Sequence, residues 1–179
     1  MFKKFLILGV TALSMVATSA IAADASRARL MVPASVDGAE GDVDSQSATG
    51  YDLHYVFKMG VGVGLSNSAA TIKFADGSEQ KDSHDFLNVS YVFGESFTTQ
   101  IVLGYPYGAG DVESSGTTYK HKSVTGSAFG LNFGYDFGGF EALLGYRSES
   151  TTQTLEVGSG ETEYERSPTF VMAGVGFTF

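Results

Sequence analysis

The sequence predicts an all-β fold: eight antiparallel strands closed into an up-and-down barrel behind a cleavable export signal. Three observations carry this. Apolar residues recur at every second position with almost no helical period. The connections alternate between short glycine turns and long polar stretches. The first residues have the three parts of a secretory signal.

The signal reads Lys3 and Lys4 as the charged region, Phe5 to Val16 as the apolar region and Ala20-Ile21-Ala22 as the small-x-small cleavage site. The apolar stretch is shorter than the about 20 residues a membrane helix needs. Cleavage is expected after Ala22, with Ala23 the runner-up, which divides the chain into a signal at 1–22 and a barrel at 23–179. Without the signal, nine basic residues face 20 acidic ones, a net charge of −11. That balance argues against nucleic acid as a partner. There is no cysteine, so neither disulfides nor a thiolate metal site is available.

Five strands are explicit. One face each is formed by Tyr51, Leu53, Tyr55 and Phe57; by Leu87, Val89, Tyr91 and Phe93; by Phe97, Thr99, Ile101, Leu103 and Tyr105; by Phe129, Leu131, Phe133, Tyr135 and Phe137; and by Phe140, Ala142, Leu144 and Tyr146. The last strand is read back from the terminus, with Phe179, Phe177, Val175, Ala173 and Val171 alternating with Thr178, Gly176, Gly174 and Met172. Two strands are weaker. Residues 27–36 alternate through Ala28, Leu30, Val32, Ala34 and Val36, interrupted by Pro33, which cannot donate to a ladder. Val61, Val63 and Leu65 are followed by Ala70, Ile72 and Phe74 in the opposite phase, and a bulge near Ser66 to Ser68 is expected to absorb the shift. Residues 58–60, 94–96 and 138–139 read as tight turns, and 37–50, 75–85, 106–122 and 148–168 as long polar loops.

Alternation alone does not say which face meets water. Here one face carries Asp52, His54, Gln100, Asn132, Asp136, Glu141 and Arg147 among many glycines, while the other concentrates aromatics near the strand ends. Aromatic girdles of this kind mark membrane interfaces, so the apolar face is expected outside, in lipid. The expected fold is therefore an eight-stranded antiparallel up-and-down transmembrane β-barrel. The stretch Phe140-Glu141-Ala142-Leu143-Leu144-Gly145-Tyr146-Arg147 and the terminal Phe170 to Phe179 resemble the OmpA/OmpX-type outer-membrane barrels, also grouped as opacity-like surface antigens. The resemblance implies a Gram-negative outer membrane as location. It implies lipid and lipopolysaccharide as surroundings, and the barrel-assembly machinery as a partner that recognises Phe179, Phe177 and Val175 at the terminus. No cofactor, no cell-wall-binding domain and a monomer are expected.

The inward ionisable residues Asp52, His54, Asp136, Glu141 and Arg147, with Arg29 and Lys58, are expected to form a polar network, because unpaired charges are costly in a narrow lumen. If Gly138-Gly139 makes the turn, Asp136 stands across from Glu141, and Arg29 or Lys58 is expected to supply a cation. Arg147 lies about 20 Å along the strand, too far to do so. The leading function is a non-enzymatic surface protein displaying its loops. The alternative is a small passive channel, kept open as a reading by the lumen glycines. His121-Lys122-Ser123 invites comparison with PagL-like lipid A deacylases, since a base and a serine at i, i+2 share a strand face; Glu141 falls on the opposite face. Gly60-Val61-Gly62-Val63-Gly64 lacks the helix of a phosphate loop. The acidic run Asp37, Glu40, Asp42 and Asp44 matches no full cation loop.

Overall fold

A computed structural model describes residues 25–39, 41–158 and 160–179, so the expected signal segment lies outside the described residues. Ten strands follow one another: β1 (Arg27–Asp37), β2 (Val43–Val56), β3 (Val61–Phe74), β4 (Glu79–Phe93), β5 (Phe97–Ala109), β6 (Val112–Ser114), β7 (Thr117–Asp136), β8 (Phe140–Val157), β9 (Gly160–Arg166) and β10 (Thr169–Thr178). Eight of them close a ring of antiparallel ladders in the order β1–β2–β3–β4–β5–β7–β8–β10 and back to β1. The two extra strands are continuations. β6 resumes the course of β5 beyond Gly110, between β4 and β7, and β9 precedes β10 across Ser167–Pro168, paired with β8. The start of β1 and the C-terminus meet at one end, where Ser26 and Phe179 exchange two backbone hydrogen bonds of 3.0 Å. That end carries the connections 57–60, 94–96 and 137–139 and is the turn end of the barrel; the opposite one is the hairpin end.

The pleat settles the faces. Leu53, Val89, Leu103, Phe133, Leu144 and Val175 point outward and stay 39–60% exposed. Their inward neighbours Val56, Phe86, Val92 and Val102 are 0–1% exposed. A belt of exposed Leu, Val and Phe around the whole ring is stable only in a non-aqueous medium. Aromatics gather towards the turn end, with Tyr135 and Phe137 in edge contact at 4.8 Å and Phe140 against Phe177 at 5.8 Å.

Three expectations need correction. The stretches read as long loops are largely strand, for β4 starts at Glu79, β7 at Thr117 and β8 runs to Val157. Above the lipid the outer strand face is polar and the inner face mixes polar with apolar residues, so the period-2 signal ends where the belt ends, although the strand goes on. Tight turns at Gly77, Ser115-Gly116 and Gly158, all with positive φ, close these hairpins. Secondly, β3 holds one register against both neighbours through Ser66 to Ser68, so no bulge lies there. Ala70, Ile72 and Phe74 simply turn inward. The bulge is in β1, where Pro33 pairs with Met172 and Ser35 with Val171, leaving Ala34 extra. Thirdly, that bulge moves Val36, which pairs with the buried Phe170, off the outer face of Leu30 and Val32.

Candidate functional site

The inward residues of the ring build a column of polar contacts from one end of the barrel to the other. At the turn end, Phe137 N donates to Phe140 O at 2.8 Å and Asp136 pairs with Glu141 across the Gly138-Gly139 turn. Two like charges directly opposed are unfavourable. The sequence around them relieves this in two ways. Asp136 Oδ1 accepts the N–H groups of Gly138 (2.7 Å) and Gly139 (2.9 Å), and its Oδ2 accepts the Thr178 hydroxyl at 2.8 Å. Glu141, fully buried, receives a fork from Arg29: Nε to Oε2 at 2.9 Å and Nη2 to Oε1 at 2.6 Å. Arg27 Nη1 adds 2.7 Å to Glu141 Oε1 and reaches Asp136 Oδ2 at 3.5 Å. Such forked, charge-assisted bonds are the strong ones.

Gln100 carries the column upward. Its Oε1 accepts from Arg29 Nη1 and from Asn132 Nδ2, both at 3.2 Å, and its Nε2 donates to Ser90 Oγ at 3.0 Å. Ser90 lies 3.3 Å from His54 Nδ1, and His54 Nε2 is 2.7 Å from Asp52 Oδ1. Asn88 Nδ2 bridges Asp52 and Ser66. Arg147 stands between Asp52 (3.5 Å) and Glu149 (2.8 Å), its guanidinium 4.7 Å from the centre of the Phe86 ring. Ser68 donates to Glu149 at 2.9 Å.

Above the belt, Arg166 closes the column. It pairs with Asp82 at 3.1 Å, approaches Glu149 at 3.7 Å and donates from Nη1 to His84 Nδ1 at 2.5 Å. Burial, then the Arg166 charge, holds the His84 pKa down at about 3, so the ring is neutral and its Nδ1 is free to accept. Burial pushes the Asp82 carboxyl up, and burial with the neighbouring Asp82 pushes the Tyr164 phenol up. Tyr164 donates to Asp82 at 3.0 Å.

Of the residues expected in the lumen, the structure brings Arg29, Asp136 and Glu141 together at the turn end and Asp52, His54 and Arg147 together at mid-height. Lys58 is not among them: β2 ends at Val56 and Lys58 sits exposed in the turn. Arg27, Glu149, Asp82, His84 and Arg166 join the column without having been expected there. Arg27 sits in the inward phase of β1 and the other four lie where the sequence reads as loop, so their signal emerges only once those strands are drawn to their full length.

The lumen glycines do not widen the bore. A Cβ on Gly145 would stand 2.1 Å from Asn132 Oδ1, one on Gly176 2.5 Å from Glu141 Oε2, and one on Gly134 2.5 Å from Thr98 Oγ1. They make room for the network. The hydrolase-like pair is also not assembled. A register shift at Lys122 sets His121 against Leu155 and Ser123 against Thr154, on opposite faces of β7. Gly60 belongs to a turn and Gly62 and Gly64 to β3. Among the described residues no group of three or more His, Cys, Asp or Glu is placed to hold a metal ion.

No protein-family model and no curated protein sequence matches the chain. The likeness is one of fold. The crystal structure of Neisserial surface protein A (NspA) superposes with a TM-score of 0.59 over 89% of this chain and 99% of that one, at 14% identity. Outer membrane protein AlkL, solved in lipid bilayers, gives 0.52 over 90% and 93%, again at 14% identity. With the closed ring, the apolar belt and the polar lumen, these make the chain an eight-stranded transmembrane β-barrel of the outer-membrane kind.

Proposed function

We propose that the protein is a non-enzymatic surface protein of a Gram-negative outer membrane, a plugged barrel whose strands carry four hairpins into the surroundings of the cell. The carrying observation is the filled lumen. Four arginines (27, 29, 147 and 166) and five carboxylates (52, 82, 136, 141 and 149) are interlocked along it. Arg29, Gln100, His54 and Glu141 are at most 1% exposed. Eight-stranded barrels have interiors just wide enough for side chains, and here the side chains are hydrogen-bonded to one another. This supports a rigid scaffold over the alternative, a passive channel for ions or small solutes. The hairpins face outward because outer-membrane barrels put short turns in the periplasm and long connections outside.

The barrel works as a monomer within lipid and lipopolysaccharide, and the assembly machinery inserts it by way of Phe179, Phe177 and Val175. Planar-bilayer recording of the purified protein tests the scaffold reading, with no steps above the lipid background expected; stepwise conductance in the unmodified protein discards it. An epitope inserted at Gly116 is expected to bind antibody on intact cells, whereas one at Gly138 needs a permeabilised outer membrane. The reverse pattern overturns the orientation. Removing Phe179 is expected to leave unassembled protein in the periplasm, and normal membrane levels count against its role as a signal.

A further inference from the structure

The barrel wall opens at the hairpin end between β1 and β2. Their ladder stops at the pair Met31 and Asp52. Beyond it Pro33 has no N–H to give and Ala34 bulges, so β1 continues paired to β10 and β2 to β3. Behind the opening lies a cavity of about 340 Å³. Val36, Ala70, Ile72 and Phe74 line it, an apolar wall at a level where water meets the lumen. The last three are the residues whose phase reversal stands out in the sequence of β3. Val36 also packs on the buried cluster of Met31, Leu143, Phe170 and Met172, so the wall is anchored from below.

The charges around the cavity are unequal. Arg166 is engaged by Asp82, Glu149 and His84. Asp37 and Glu165, also in the lining, are exposed, and neither has an ion-pair partner among the described residues. One wall of the cavity is thus apolar, the facing side carries Gln46, Gln80, Asp82, Tyr164 and Arg166, and those two carboxylates lie at its rim, on a chain whose net charge is −9. Anions are repelled by that field and cations gathered by it.

We propose that this cavity binds a small organic cation. The volume equals about eleven water volumes, which suits an apolar body of about ten non-hydrogen atoms lying against Ile72 and Phe74. The charged head stays in water at the rim beside Asp37 and Glu165, as amphipathic cations do. Apolar burial supplies most of the affinity. Each exposed carboxylate adds a factor on the order of two to five at low salt. The site lies above the plugged lumen and exists whether or not the lumen conducts, so its test is separate from the bilayer recording.

Ile72 and Ile101 are the two isoleucines among the described residues. Ile72 lines the cavity, and Ile101 lies on the outer face of β5. Methyl NMR of the isoleucine-labelled protein in nanodiscs of zwitterionic lipid therefore carries its own control. Titration with octylammonium at neutral pH and low salt is expected to shift Ile72 saturably while Ile101 stays still. Octan-1-ol is expected to bind several-fold more weakly, and octanoate more weakly again. Asp37→Asn combined with Glu165→Gln should bring octylammonium down to the level of the alcohol, and Val36→Phe should fill the space and abolish the shift. The proposal is overturned if Ile72 does not respond, if Ile72 and Ile101 move together, if octanoate binds as tightly as octylammonium, or if the doubly neutralised variant binds unchanged.

Discussion

The half of the barrel inside the apolar belt and the half beyond it use the same strands, but different forces hold them. Within the belt the outer face is lipophilic, the inner face is a paired ionic column, and several glycines leave no room for a methyl group. Gly145, against the Asn132 amide, is the tightest of these. Beyond the belt the outer face is polar, the inner face mixes polar with apolar residues, the wall is open between β1 and β2, and a Cβ on Gly77, Gly116 or Gly158 would touch nothing within 4 Å. One length of β8 therefore passes from a place where each atom is constrained from two sides to one where the tip is bounded by water. Packing is tight around the lumen glycines at the level of the lipid and open at the hairpin tips. The proposed scaffold role calls for that gradient.

The contrast should be greatest for buried charge. Glu141→Ala leaves Arg27 and Arg29 without their shared carboxylate, and breaking a buried pair from one side costs about 3–5 kcal/mol. Glu161→Ala removes only an exposed partner of Lys122 and is expected to change stability little, because water screens such pairs. Urea unfolding of the two variants in lipid vesicles checks this. Equal losses would mean that the lumen column contributes no more than a surface pair.

The outer face gives the next effect. Leu103→Arg places a charge in the belt and is expected to cost about 2–4 kcal/mol if Leu103 lies near the bilayer middle. Ser150→Arg, on the outward side of β8 but beyond the belt, should be near neutral. Gly145→Ala follows at about 1–3 kcal/mol, the range for overpacking, whereas replacing Gly116 meets open space and costs only what its positive φ imposes.

The same division decides how much of the fold the residues disclose by themselves. Where lipid lies on one side and the column on the other, alternation is enforced by two solvents, and β2, β4, β5, β7, β8 and β10 are legible in faces and phase. The opposition of Asp136 and Glu141 follows from two glycines, and Arg29 from its phase in β1. Beyond the belt water lies on both sides, nothing enforces alternation, and strands such as β9, with Glu161, Glu163 and Glu165 on one face, look like loop. Inward apolar residues at Ile72 and Phe74 then imitate a bulge, while the true bulge hides one residue past Pro33. Lys58 stays out of the lumen for a local reason, because the strand ends two residues before it.

The smallest effect separates the halves by pH. His84 belongs to the region beyond the belt, and its ordinary pKa of 6.5 is lowered to about 3 in the folded protein, by burial first and by Arg166 second. Between those values the unfolded chain holds a proton that the folded one does not, so stability is complete above pH 6.5 and declines as pH falls towards 3. At pH 5.5 the loss is about 1 kcal/mol. Protonation would set an imidazolium 2.5 Å from the Arg166 guanidinium, so the loss should centre on the strands that meet there. Asp82 works in the opposite sense: its raised pKa favours folding as the carboxyl takes up its proton, and so softens the decline at the acid end. Amide exchange compared at pH 7.5 and 5.5, corrected for intrinsic rates, should show protection falling in β9 and the outer parts of β4 and β8, with β2 and β10 unchanged within the belt. His84→Gln removes the titrating group and should flatten the difference. A uniform loss along the whole barrel, or an unchanged slope in His84→Gln, would mean that the hairpin end does not yield to acid through this histidine.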